Sequence, residues 1–237
     1  MKKLALLDWK TGFVAPESRC QIGAYAHCPS LPQRPEIGCV VQVKESETKV
    51  AVRMGAPELE DAYRAFLSAK GVFDWMVKND LSKVPKNEEY RIGGVYLPSV
   101  TYILGHAIAK PALMNWYFKM GKEGKDPNQI KQEAGERGAA FHRAIHTILQ
   151  GKLVDTAGAD DWLKLRVESF LRWKEKVSLE VVELEQKVWD EAQGYAGTLD
   201  CVAWISEDEA LEPHLARAIE RQKEEAKLAE WLDKEIA

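Results

Sequence analysis

The clearest pattern in the chain is a short apolar run that ends in charged residues. Residues 4–7 are all apolar, which predicts a strand that is buried on both faces. The run leads into Asp8, Trp9 and Lys10. Side chains two residues apart in a strand point the same way, so we expect Asp8 and Lys10 on one face and Trp9 on the other.

Two interpretations of this charged pair are open from the stretch alone. A carboxylate and an ammonium group at the end of a buried strand are costly to desolvate unless they have partners or a task. One task is that Asp8 holds a hard metal ion while Lys10 orients or deprotonates a water beside it. The alternative is an Asp–Lys pair that caps the strand where the chain emerges.

Periodicity over the rest of the chain predicts an α/β fold. Period-two and β-rich runs predict strands at residues 38–44, 48–53, 90–96, 180–190 and 195–205, with a turn at Gln193 and Gly194. Ser99 is the expected N-cap of a helix that opens within residues 97–101. Further helices are predicted at residues 18–28, 57–70, 111–120, 128–150, 160–176 and 207–236, with a junction at 71–86.

Composition is typical of a soluble globular protein. Of 237 residues, 46% are hydrophobic and 30% charged. No apolar stretch approaches the roughly 20 residues needed to cross a bilayer, and residues 1–7 do not resemble a signal peptide. We therefore expect a cytoplasmic protein. None of the four cysteines forms a Cys-x-x-Cys pair, which favours reduced thiols over a zinc ribbon; an iron–sulfur cluster would require the fold to gather them.

The distribution of charge is more informative than the net charge of −4. Residues 101–152 carry eight lysines and arginines against four acids, whereas residues 206–237 carry ten acids against five bases. The basic segment is compatible with a phosphate track, although solvated helix faces give the same count.

A second acidic strand adds carboxylates to the picture. Asp200 lies within the strand predicted at residues 195–205, and Glu185 lies on the strand before it. If these strands pair and the strand of Asp8 lies beside them, three carboxylates and Lys10 meet at one end of a sheet. Such like charges repel unless a divalent cation lies between them. Oxygen ligands favour Mg²⁺ or Mn²⁺, and a water on such an ion can attack a phosphodiester.

These motifs resemble those of the PD-(D/E)XK nucleases, and most closely the RecB-like exonuclease branch. The resemblance is carried by Gly197-Thr198-Leu199-Asp200 together with Asp8-Trp9-Lys10. Three other matches are Gly138-Ala139-Ala140-Phe141-His142, Gln21-Ile22-Gly23-Ala24-Tyr25 and Leu97-Pro98-Ser99-Val100-Thr101. Together they cover most of the chain. The resemblance implies a restriction-endonuclease-like core, a central mixed β-sheet flanked by helices.

The resemblance also implies roles for the charged residues. Asp8 and Asp200 would be metal ligands together with the backbone carbonyl of Trp9. Lys10 would position water and stabilise charge on the phosphate.

Two further roles each have a competing residue. Glu185 would complete the catalytic carboxylates, but Glu183 lies on the same strand face. His142 would be an additional metal ligand, but His146 shares its helix face.

DNA contacts follow from the same resemblance and from charge. Gln21 and Tyr25 would contact the DNA strand near the scissile phosphate; packing of their helix against the sheet is the alternative. Arg137 and Arg143 are candidate phosphate contacts, or solvated charges on a helix face.

The order of the motifs departs from the family. There the His helix, the Glu strand and the Gly-x-x-Asp strand come before the Asp-x-Lys strand and the Gln-x-x-x-Tyr helix, whereas here the last two come first. We therefore expect a single circularly permuted nuclease domain over residues 1–237. Residues 1–75 would be the usual C-terminal half, 76–205 the usual N-terminal half, joined near residues 75–78, and 206–237 an additional helix.

The expected function is metal-dependent DNA hydrolysis, exonucleolytic on single strands or free ends. No phosphate-binding loop of the Gly-x-x-x-x-Gly-Lys type is present to support unwinding. Two alternatives remain: a structure-specific or restriction-like endonuclease, and a non-catalytic DNA-binding subunit of a recombination or repair complex. The C-terminal helix could bind a protein partner or a second copy of the chain, and no membrane association is expected.

Overall fold

A computed structural model describes residues 1–154 and 158–206. The helix predicted for residues 207–236 lies outside these ranges. Five strands form one mixed sheet in the order β3-β2-β1-β7-β6. They are β1 Lys2–Lys10, β2 Ile37–Val43, β3 Thr48–Met54, β6 Glu180–Asp190 and β7 Tyr195–Ser206. The α/β prediction, with a mixed sheet between helices, is confirmed.

Strand β1 lies at the centre of the sheet. It pairs in parallel with β2 and antiparallel with β7. Leu4, Ala5, Leu6 and Leu7 are each at most 1% exposed, as the continuous apolar run predicted. The charged end of β1 is therefore held by a fully buried strand.

Helices cover both faces of the sheet and make two cores. Helices α1 to α3 pack on the face of Leu4 and Leu6, whereas α5 and α6 pack on the face of Ala5, Leu7 and Trp9. The helices are α1 Ser18–Ala26, α2 Ala56–Lys78, α3 Val100–Ala107, α4 Pro111–Lys122, α5 Pro127–Leu149 and α6 Asp161–Lys176. Helix α4 has no buried residue and leads directly into α5.

The predicted junction after residue 70 is wrong, because α2 continues through Lys78. The reason is packing: Phe66 and Phe73, two turns apart, are both fully buried. Gly71 between them has open space around its Cβ position and is tolerated in the helix. The expected joint near residues 75–78 therefore falls inside a continuous helix.

Of two local predictions, one is confirmed and the other differs in detail. Ser99 caps α3 as predicted, because its hydroxyl accepts a hydrogen bond from the Tyr102 N–H at 3.1 Å. The strand predicted at residues 90–96 is instead a 3₁₀ turn, Glu88–Tyr90, followed by two short strands, β4 Arg91–Ile92 and β5 Val95–Tyr96. Gly93 and Gly94 both have positive φ, which is the tight hairpin turn that glycine favours.

Across residues 1–154 and 158–206, no helix combines the length and apolar character required to cross a membrane. The cysteines are free thiols as predicted, with Cys28, Cys39 and Cys201 buried and Cys20 partly exposed.

Candidate active site

Trp9 fixes the orientation of the charged end of β1. Its indole is 3% exposed and packs edge-on against Phe170 and Trp173, at centroid distances of 5.2 and 5.9 Å. Residues 8 and 10 therefore point to the opposite face. Lys10 Nζ lies 3.1 Å from Asp8 Oδ1, which confirms that Asp8 and Lys10 share a face.

Asp8 is a buried carboxylate with an incomplete set of partners. Its Oδ1 accepts hydrogen bonds from Lys10 Nζ and from Gln21 Nε2, each at 3.1 Å. Its Oδ2 lies 3.0 Å from Lys10 Nζ, but it is buried and accepts no hydrogen bond. Oδ2 is thus ion-paired with Lys10 but accepts no hydrogen bond, and a carboxylate in this state can also ligate a metal ion.

Asp200 enters the site where the β1–β7 pairing ends. The pairing stops at Leu7 opposite Cys201, whereas β1 stays paired with β2 as far as Lys10. The Trp9 N–H donates instead to Asp200 Oδ2 at 2.8 Å. The end of the ladder thus brings the Asp200 carboxylate next to the backbone between Asp8 and Lys10.

Glu185 lies opposite Asp200 on β6. The flanking pairs are Leu184 with Cys201 and Gln186 with Leu199. Glu185 itself has a φ of +48°, a left-handed conformation that costs a non-glycine residue about 1–3 kcal/mol. Strain of this kind is common at functional sites, where the fold holds a side chain in place for a task.

His142 reaches this point from α5. Its neighbour Phe141 is fully buried in the core on the Trp9 face, which fixes the helix. His142 Nδ1 lies 3.5 Å from Asp200 Oδ1. One ligand atom from each of His142, Glu185 and Asp200 lies within 4.8 Å of the others.

The competing residues lie elsewhere. Glu183 faces Val202 in the strand register, and His146 Nε2 lies 3.2 Å from Gln150 Nε2. Of each pair of candidates, the structure brings Glu185 and His142 to Asp200.

The electrostatics of the cluster favour a bound cation. Burial, and then the neighbouring Asp8 charge, raise the pKa of Asp200 well above its usual value. Burial also raises the pKa of Asp8, against the opposing effect of Lys10. Burial lowers the pKa of His142, which favours the neutral imidazole that can bind a metal.

This donor set fits a divalent cation. Carboxylate oxygens suit Mg²⁺ or Mn²⁺, and of these two ions the imidazole favours the transition metal Mn²⁺. The mutual repulsion of Asp8 and Asp200 is a feature that a cation would relieve.

Gln21 and Tyr25 support the site from within the protein. Gln21 donates to Asp8, and its Oε1 lies 3.5 Å from Lys10 Nζ. Tyr25 is 3% exposed, and burial raises the pKa of its phenol well above the usual value. Its ring covers Gly197, where a Cβ would lie 2.4 Å from Tyr25 Cε1. The almost complete burial of the Tyr25 ring favours the alternative of helix packing, and its DNA contact stays a prediction.

The arginines and glycines of α5 lie on parts of the helix that are exposed to solvent or only partly buried. Arg137 is exposed, stacks near Trp162 at 5.9 Å and lies 3.9 Å from Asp160; Arg143 is exposed as well. A Cβ at Gly138, one turn before His142, would meet only Thr11 Oγ1, at 4.0 Å. The helix backbone beside the cluster is thus open to a ligand.

Sequence reasoning missed two contacts around the site. Lys110, the residue before α4, pairs with Glu17 at 2.8 Å, and the charges of Lys110 and Lys10 both lower the pKa of Glu17. The Tyr90 hydroxyl lies 3.1 Å from Thr198 Oγ1, beside Asp200 in sequence. Neither pair is near in sequence, so no local pattern pointed to it.

Comparison with known proteins gives no match: no protein-family model, curated protein sequence or solved structure is significantly similar to this chain.

Proposed function

We propose that the protein is a divalent-metal-dependent nuclease that hydrolyses DNA phosphodiester bonds, acting as an exonuclease on single strands or free ends. The observation that carries the proposal is the convergence of Asp8, Lys10, Glu185, Asp200 and His142 at the end of β1. These residues come from three strands and one helix. A buried lysine–carboxylate pair that merely capped the strand would not require the two other acids and the imidazole.

Asp8, Glu185, Asp200 and His142, with the Trp9 carbonyl, would hold Mg²⁺ or Mn²⁺. When bound, the ion would polarise the phosphate and make a nearby water more acidic. The protein's own contribution is to place the four side-chain ligands on rigid elements, since β1, β6 and β7 are neighbouring strands of one sheet and the buried Phe141 anchors α5.

Lys10 would act on the reacting phosphate. Its ammonium group is held beside Asp8 by a 3.1 Å hydrogen bond and remains 29% exposed, so one side can reach a ligand. In that position it would orient the attacking water and stabilise the charge that develops on the phosphate. Gln21 would be a positioning residue, because it orients Asp8.

The sheet topology supports a circularly permuted PD-(D/E)XK core. In the family order, His142 of α5 is followed by Glu185 of β6, Asp200 of β7 and then the strand of Asp8. Strands β6, β7 and β1 are adjacent in this same order. Ser206 at the end of β7 pairs with Lys2 at the start of β1, so a short turn could join them. The two halves are connected through the continuous helix α2, which extends to Lys78, and not by the junction expected there.

Helix α4 supports single-stranded DNA as the substrate. Met114 and Phe118 are 68% and 66% exposed, and Lys122 lies 4.6 Å from the Phe118 ring centre. Aromatic rings beside lysines bind single strands by stacking on bases and attracting phosphates. The contact of Lys110 with Glu17 ties the start of α4 to the start of α1, the helix that carries Gln21.

The decisive experiment measures hydrolysis of end-labelled single-stranded DNA with Mg²⁺, Mn²⁺ or EDTA. We expect metal-dependent shortening that Asp8→Asn abolishes. Asp61→Asn is the matched control, because Asp61 is an exposed carboxylate on α2 that is absent from the site. Equal loss of activity in both variants, or shortening in EDTA, would contradict the proposal.

Closed circular single-stranded DNA separates exonuclease from endonuclease. An exonuclease leaves circles intact while it degrades the same strand after linearisation. Cutting of circles would favour the endonuclease alternative. DNA binding without cleavage in either metal, by folded protein, would favour the non-catalytic subunit.

A further inference from the structure

An open cavity adjoins the active site at the same edge of the sheet. Its volume is about 490 Å³, within the range of roughly 300–1,000 Å³ found for ligand pockets. Its lining begins with Thr11, immediately after Lys10, and includes Gln42, which pairs with Lys10 in the β1–β2 register. Since β1 and β2 are parallel neighbours, their carboxyl ends form the floor of this cavity.

The floor is fixed and one wall carries an exposed aromatic ring. Gln42 Nε2 donates to the Gly12 carbonyl at 2.7 Å, which ties the chain after β1 to β2. Phe13, one residue further along, is 82% exposed. An exposed ring that lines a polar cavity is available to stack on a base.

The cavity lining also carries positive charge. Lys44 is exposed and forms no ion pair with any residue in the described ranges. Arg166 is held rigidly: its guanidinium lies 4.0 Å from the Trp162 ring centre, and its Nη1 donates to Glu45 at 2.9 Å. Arg166 Nε is buried without a hydrogen-bond partner. Glu45 offsets one of the two cations, so Lys44 is the free charge for an anion.

We propose that this cavity is a nucleotide subsite, which binds the nucleotide next to the scissile phosphate through its base on Phe13 and its backbone phosphate on Lys44. The proposal rests on the proposed nuclease function, because the cavity lining begins at the residue after Lys10, which would hold the reacting phosphate. An aromatic ring and a cation that line one cavity match the base and the phosphate of one nucleotide. The subsite reads no particular base, since every base has a face that can stack.

The test measures binding of the full chain to a short fluorescein-labelled single strand by anisotropy. Ca²⁺ replaces Mg²⁺, and the integrity of the strand is checked on a gel. A series of strands carries one abasic nucleotide at successive positions. For wild-type protein we expect one position at which loss of the base weakens binding roughly 5- to 150-fold. The Phe13→Ala variant should bind the intact strand more weakly than wild type by a similar factor. Its affinity should no longer change when the base at that position is removed.

The role of Lys44 is tested in the same binding assay, with strands in which one phosphate is replaced by a neutral methylphosphonate linkage. Wild-type protein should lose affinity when the linkage next to the stacked base is neutral, and Lys44→Ala should not. The controls are Trp75→Ala and Lys83→Ala, an exposed aromatic residue and an exposed lysine that do not line the cavity. Both should behave as wild type.

Failure of the subsite is distinguishable from failure of the nuclease. If wild-type protein cleaves but Phe13→Ala keeps its full sensitivity to the abasic position, the subsite is wrong and the nuclease stands. If wild-type protein neither binds nor cleaves single strands in any metal, both proposals are overturned. Because Phe13 is 82% exposed, its variant should keep the wild-type unfolding midpoint.

Discussion

Replacing Gly197 with alanine should destabilise the protein through its contact with Tyr25. A Cβ at position 197 would lie 2.4 Å from Tyr25 Cε1 and 2.8 Å from the phenol oxygen. Carbon atoms in good contact are about 3.5–4.0 Å apart, so the ring or β7 must shift by roughly 1 Å. The ring is buried and its hydroxyl lies among Gln21 and the site carboxylates, which leaves little room to move.

The expected cost is about 1–3 kcal/mol, the usual range for overpacking a core. For a chain of this size that corresponds to a Tm lower by roughly 2–12 °C. Urea unfolding followed by circular dichroism measures the free energy of unfolding directly. The shorter side chain of Tyr25→Leu would remove the clash, so the double variant should be more stable than the sum of the two single changes predicts, by about 0.5–3 kcal/mol.

Gly71→Ala is the matched control. Gly71 lies in the exposed interior of α2 with nothing within 4 Å of its Cβ position, so alanine there should stabilise the protein by about 0.5–1 kcal/mol. The reasoning is refuted if Gly197→Ala is as stable as wild type, or if its cost is the same with and without the Tyr25 ring.

Three further predictions concern the carboxylate cluster and the DNA surface. In EDTA at neutral pH, Asp200→Asn should unfold at higher urea than wild type, because burial and Asp8 penalise the Asp200 charge and hence raise its pKa. The folded wild-type protein then binds more protons than its unfolded state, so its stability should rise as pH falls through the raised pKa. The stability advantage of Asp200→Asn over wild type should therefore shrink as pH falls. An Asn variant that is less stable than wild type at every pH would contradict this prediction. Lys10→Ala should keep Mn²⁺ and DNA binding, measured by calorimetry and anisotropy, but lose nearly all cleavage, and retained activity would remove Lys10 from the mechanism. Phe118→Ala should weaken single-strand binding by roughly 5-fold or more without changing the unfolding midpoint, because Phe118 is 66% exposed; unchanged binding would argue against α4 as a DNA surface.

The sequence was sufficient where the signal is local. The apolar run at residues 4–7 predicted a buried strand, and it is the fully buried centre of the sheet. The strands around the Gln193–Gly194 turn and the cap at Ser99 were also correct. Periodicity and capping depend on residues a few positions apart, and those are the interactions that a single sequence displays.

Only the tertiary structure decided what lies beside these elements. It selected Glu185 over Glu183 and His142 over His146, because each pair shares a face and only packing determines which side chain reaches Asp200. It also placed the Tyr25 ring over Gly197, a contact between residues 172 positions apart. The residue types of the candidate site are thus written in the sequence, whereas their partners depend on contacts between distant segments, which only the folded chain brings together.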